Sequence, residues 1–131
     1  MYNLELNAEQ AKIVVASLDF FMRIGMGQIE EVANVLTDYH CDYDRNDCEN
    51  LVKVRGLCKD IKAALNIPIN GSYGIYNDKT PAICKAAYDI ECVLRQTIAQ
   101  QEDHKSYSTW LNDPLHANKE IPLAKCTYED K

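Results

Sequence analysis

"LDFFMRIGMGQIEEVANVL", residues 18–36, decides how this chain is read. Apolar residues recur at helical spacing on both sides of two close glycines, Gly25 and Gly27. Upstream, Ala11, Val14, Val15, Leu18 and Met22 share one i, i+3, i+4, i+7 stripe, and Phe20 and Phe21 widen it. That pattern predicts a helix over about 8–23 with the stripe facing a core. Downstream, Ile29, Val32, Ala33 and Leu36 mark a second helix ending near Tyr39. Each glycine costs a helix interior about 1 kcal/mol relative to alanine, so the chain is expected to break or bend at 25–27.

Working outward, "YNLELN" alternates, with Tyr2, Leu4 and Leu6 on one side and Asn3 and Glu5 on the other, the period of a half-buried strand. Asn7 and Gln10 are spaced as a capping box for the first helix. After the polar, acidic loop "HCDYDRNDCEN", a third helix is predicted over 47–65, with Leu51, Val54, Cys58, Ile61 and Leu65 inward. Its outer face bears Arg55, Lys59 and Lys62, which form either a solvated face or a row facing an anion. Pro68 and Gly71 end this region. Thr80 is the expected cap, and Pro81 the first residue, of a fourth helix over 81–101 with Ile83, Ala87, Ile90, Leu94 and Ile98 inward. Beyond it, Trp110, Leu111, Leu123, Cys126 and Tyr128 fit short strands beside the first. The expected fold is α+β and mainly α: about four helices, a small antiparallel sheet from the N-terminal strand and the C-terminal tail, and one domain over 1–131.

Composition narrows function. The chain has 131 residues, 26% of them charged, and a formal net charge of −6. Direct DNA or RNA binding is not expected, because holding a phosphate backbone takes a cationic surface. There is neither a basic-then-apolar leader nor an apolar run long enough to span a bilayer, so a cytoplasmic protein with no membrane partner is expected. The six cysteines, Cys41, Cys48, Cys58, Cys84, Cys92 and Cys126, are expected to be reduced there, and no two have C-x-x-C spacing. His40, Cys41, Asp42, Asp44 and Cys48 match no zinc class. The acidic residues Asp42, Asp44 and Asp47 lack the central glycine and closing glutamate of a calcium loop. Neither metal nor cofactor is therefore expected. Neither glycine cluster precedes a Lys-Ser or Lys-Thr pair, and "GMG" does not extend to a dinucleotide fingerprint. His40, His104 and His116 lie far apart in sequence, and none marks a nucleophile's base. A non-catalytic protein is favoured over an enzyme.

"NGSYGIYN", residues 70–77, is the best candidate for binding. Gly71 and Gly74 tolerate positive φ or the close approach of a ligand. Ser72 offers a hydroxyl, and Tyr73 and Tyr76 offer rings for stacking. Lys79 follows beside a helix N-terminus, where the dipole favours an anion. A purely structural role, with each ring on the core and each hydroxyl on a carbonyl, is the competing reading. The break "RIGMGQ" supplies Arg23, Gly25 and Gln28, with Arg23 either capping carbonyls or facing a ligand. On the fourth helix stand Tyr88, Asp89 and Arg95; Asp89 and Arg95 are not an i, i+4 pair, so helix geometry does not explain them. The candidate ligand-binding set is Arg23, Gly25, Gln28, Ser72, Tyr73, Gly74, Tyr76, Lys79, Tyr88 and Arg95. The turn and the glycine break are expected to approach each other.

"LDFFMRIGMGQIEEV", "SYGIYNDKTPAICKAAYDIECVLR" and "NDPLHANKEIPL" together resemble, in order, a widespread family of small proteins from tailed bacteriophages. That family carries an Arg-Ile-Gly-Met-Gly-Gln segment, a Ser-Tyr-Gly-Ile turn and an Ala-Tyr-Asp helix segment. The present chain departs from it in "IECVL" and in a less proline-rich tail. The resemblance implies a phage setting rather than an activity. In that setting the site residues suit an accessory protein that binds a small anionic, nucleotide-like ligand, such as a host immune signal to be sequestered. The alternative is a direct inhibitor of a host protein, acting through an acidic or nucleic-acid-mimicking surface. A wide apolar face on a short helical chain suits a homo-oligomer.

Overall fold

The computed structural model describes residues 1–40, 47–102 and 115–130. Among these residues there are four helices: α1 (Ala8–Gly25), α2 (Glu30–His40), α3 (Asp47–Ala64) and α4 (Ala82–Gln101). The chain divides into two compact units, Met1–Met22 with Pro81–Lys131, and Arg23–Thr80. No described helix is long and apolar enough to cross a membrane.

The first unit is built on α1 and α4. The capping box forms as read: the Asn7 N–H donates to Gln10 Oε1 and the Gln10 N–H to Asn7 Oδ1, both at 2.9 Å. Two orphan donors of the first turn are thus satisfied reciprocally. Ion pairs join the helices at Lys12–Glu102 (2.6 Å) and Asp19–Arg95 (3.7 Å). The seven-residue step along α1 is matched by an equal step back along α4, so the two run antiparallel. Ala11 and Met22 of α1 are buried, as are Cys84, Ala87, Val93 and Ala99 of α4.

Two expectations for this unit are corrected. On α4, Ile83 and Ile90 are 66% and 42% exposed, while Asp89 and Glu91 are buried. Periodicity shows which residues share a face, but polar partners decide which face turns inward. Glu91 is met one turn on by Arg95. Asp89 accepts the Ala117 N–H at 2.6 Å and the Asn118 N–H at 2.9 Å. The buried Asn118 side chain in turn donates to the Ala82 carbonyl at 3.0 Å and accepts the Glu120 N–H. The tail is therefore pinned by a carboxylate and an amide rather than by a strand ladder. The expected sheet is absent among the described residues: 1–7 and 115–130 hold no strand, and Tyr2 and Leu4 are exposed. An alternating segment needs free backbone groups beside it, and two tail amides are already committed to Asp89. Trp110 and Leu111 lie outside the described residues.

In the second unit, α1 ends where the glycines stand. Gly27 holds φ at +85°, its N–H donates to the Ile24 carbonyl, and the Gln28 N–H reaches back to Arg23. That pair of bonds is a Schellman turn. A second one ends α3. There Asn66 takes the left-handed position at φ 55°, with bonds from Asn66 to Ala63 and from Ile67 to Lys62. The turns touch, because a Cβ on Gly27 would lie 2.9 Å from Ile67 Cγ2. Gly27→Ala should therefore lose about 2 kcal/mol or more from left-handed strain plus overpacking. Urea titration of the variant checks this; an unchanged midpoint would refute the close contact.

Between the turns, Ile29 just before α2, Ala33 of α2 and Cys58 of α3 form the core, with Ile24, Leu51, Val54 and Ile67 packed around them. Here too the inward face differs from the expected one. Ile61 and Leu65 are 47% and 62% exposed, whereas Lys62, read as part of an outer basic row, is 2% exposed. Leu51, Cys58 and Lys62 share one face by their i, i+7, i+11 spacing, and the lysine finds partners there that draw it in.

Candidate ligand-binding turn

The 70–80 segment is braced at both ends. At its start, the Lys62 ammonium donates to the Gly71 carbonyl at 2.7 Å and to Glu30 Oε1 at 2.8 Å. Lys62 therefore ties the turn to the first turn of α2, where a carboxylate is already favoured by the helix dipole. Burial pushes the Glu30 carboxyl up, but the hydrogen bond and charge of Lys62, with Lys59 nearby, outweigh it and hold the group below its ordinary value. Two residues on, the Tyr73 N–H donates to the Met26 carbonyl at 2.7 Å. The turn and the glycine break thus meet through the backbone, as the sequence led us to expect.

The end of the segment is a chain of local bonds. The Asn77 N–H donates to the Gly74 carbonyl, the Thr80 N–H to the Asn77 carbonyl, and the Lys79 N–H to Asn77 Oδ1. Thr80 was expected to cap α4. Instead it is buried with its hydroxyl donating to the Gly74 carbonyl at 2.8 Å, and Pro81 occupies the cap position. Neither Gly71 nor Gly74 has positive φ; Gly27 is the glycine that requires it. A Cβ on Gly74 would meet nothing within 4 Å, so packing gives no reason for a glycine there.

The braced segment presents Ser72, Tyr76 and Lys79 to solvent and leaves Tyr73 half-buried. The Lys79 ammonium lies over the Tyr73 ring, 5.4 Å from its centroid. The Tyr73 hydroxyl reaches the Asn66 carbonyl at 3.4 Å. Ser72, Tyr73, Gly74, Tyr76 and Lys79 are thus all at least partly open to solvent on one short segment, with a cation over one of its two aromatic rings. Arg23 and Gln28 are engaged with each other across the break, Arg23 donating to Gln28 Oε1 at 3.0 Å. Gly25 is the last residue of α1.

Tyr88 and Arg95 belong to the other unit. Arg95 faces two carboxylates, Glu91 and Asp19, so its charge is already balanced within that unit. The anion-facing row on α3 is likewise corrected: Arg55 and Lys59 are exposed, but Lys62 is consumed by Glu30 and Gly71. The buried role of Lys62 could not be read from sequence, because no local pattern links it to Glu30, 32 residues away. Sequence reasoning missed Glu91 although its i, i+4 spacing to Arg95 is the signal, so helix geometry does account for Arg95.

Cys58, Cys84, Cys92 and Cys126 are free thiols. Burial pushes the Cys84 and Cys92 thiols up, which opposes the thiolate that nucleophilic chemistry needs. Among the described residues, no three His, Cys, Asp or Glu side chains gather to hold a metal ion. Cys41, Asp42 and Asp44, with the side chains of His40, Asp47 and Cys48, lie outside the described residues. No family model matches the chain, and neither a curated protein nor a solved structure is similar to it.

Proposed function

We propose that this protein binds a small anionic, nucleotide-like ligand on the 72–79 surface and does no chemistry on it. The observation that carries this reading is the Lys79 ammonium held over the Tyr73 ring, on a turn whose backbone is fixed by Lys62, Met26 and Thr80. A preset cation on a turn that also carries an exposed ring, Tyr76, can meet a phosphate and a base with little ordering cost. The resemblance to phage proteins supports an infected cell's cytoplasm as the setting, and sequestration of a host immune signal as the role.

A second reading is favoured by one observation. Leu57 and Ile61 of α3 and Leu65, one residue beyond its end, follow one another at four-residue steps and are all substantially exposed. The three together form an apolar patch that suits a protein partner, either a second copy of the chain or a host factor to be inhibited. Native mass spectrometry of protein recovered from infected cells separates the two. The ligand reading expects a retained small molecule on the wild type and its loss from Lys79→Ala, with the melting temperature unchanged. A wild type that carries a host protein and no small molecule would overturn it in favour of inhibition.

A further inference from the structure

The two rings of the turn are not equivalent. Tyr73 is attached three ways: its N–H to Met26, its hydroxyl to Asn66, and its ring beneath the Lys79 ammonium. Tyr76 stands 61% exposed, on backbone held by the Asn77-to-Gly74 bond and the Thr80 hydroxyl. Resting on the reading of this surface as an anion site, we infer that Tyr76 is the ring on which a ligand's base stacks. Tyr73 acts as a positioning residue that holds the Lys79 ammonium for the phosphate.

A base and the Lys79 ammonium would compete for the Tyr73 ring. A ring face attracts a cation through its quadrupole. A base stacking on the Lys79-bearing face of Tyr73 must first expel that cation, and so removes the phosphate's partner as it arrives. The more exposed Tyr76 ring is open to a base without the displacement of Lys79 from Tyr73. Tyr76 and Lys79 stand three positions apart on the same braced segment, so their Cα atoms are separated by at most about 10 Å and one mononucleotide can reach from one to the other. One ammonium beside the exposed Asp78, on a chain of net charge −6, suits a single phosphate group over a polyphosphate.

Amide chemical-shift titration of the full chain with AMP, and separately with inorganic phosphate, tests this. AMP should shift the Tyr76 and Lys79 amides. Tyr76→Ala should weaken AMP binding about tenfold, equivalent to about 1.4 kcal/mol, leave phosphate binding unchanged and keep the melting temperature. Tyr76→Phe should restore AMP binding. Undiminished AMP affinity in Tyr76→Ala, with loss in Tyr73→Ala, would overturn the assignment while leaving the anion site standing. Equal loss of AMP and phosphate in Tyr76→Ala would also overturn it, since stacking acts on the base alone. A wild type that responds to neither probe would sink the ligand reading itself.

Discussion

Glu30→Ala is expected to destabilise the 23–80 unit by about 3 kcal/mol, while Lys62→Met costs about 1 kcal/mol or less. The asymmetry follows from where each charge sits. The Lys62 side chain is 3% exposed and the Glu30 side chain 39%. Removing the carboxylate leaves a buried ammonium with only the Gly71 carbonyl from its present pair of partners. Removing the ammonium leaves a carboxylate that already reaches water, and methionine refills most of the lysine's volume. The double variant should match Lys62→Met and be more stable than Glu30→Ala. Urea titration followed through α2 and α3 amides reads all three; equal losses in both single variants would refute the burial argument. The same pair predicts a pH dependence. Because the folded Glu30 carboxyl is held below its ordinary value of 4.5, its contribution is fully present above that value. It declines as pH falls through it towards the folded value, and that acid-side slope should be shallower in Glu30→Ala.

Asp89→Ala should release the tail. A hydrogen bond to a charged group contributes about 1.5–3 kcal/mol, and Asp89 accepts two from consecutive amides. The freed tail can rehydrate its N–H groups, so the expected loss is about 3 kcal/mol, the upper end of the range for one such bond and less than the sum of two. Asp89→Asn keeps one acceptor oxygen and should fall in between. Trypsin should cut faster after Lys119 and Lys125 in Asp89→Ala, with cleavage within α1 and α4 lagging behind. Unchanged cleavage at both lysines would mean that the tail is held by something else.

The local features were legible in sequence, and the long-range polar ones were not. The Asn7–Gln10 box, the α1 stripe, the glycine break and the four helices all depend on residues within a few positions of each other. Hydropathy and capping chemistry operate at that range. The inward faces of α3 and α4 were misjudged because they are set by pairings at a distance: Lys62 with Glu30, and Asp89 with Ala117 and Asn118. A lysine at an i, i+4 step from a core cysteine reads as surface until its carboxylate is located. The alternation of "YNLELN" is real, but it says nothing of whether a neighbouring strand exists. In the candidate site, both the turn and its approach to the break could be anticipated. The division of labour between Tyr73 and Tyr76 could not, since it depends on which ring the Lys79 side chain covers.

The insertion of one unit within the other has a consequence for how the chain is made. Arg23–Thr80 is continuous, whereas the other unit needs residues from both sides of it. During synthesis the inserted unit has all its parts once Thr80 has emerged, and it can close its Schellman turns and the Lys62 pair while α4 is still being polymerised. The helix α1, although made first, must wait for α4 before Lys12 and Asp19 find their partners. An inserted segment that is already folded holds its two ends at a fixed spacing and reduces the loop entropy of that late pairing. A lesion in the glycine break would then slow the maturation of a unit in which it has no part.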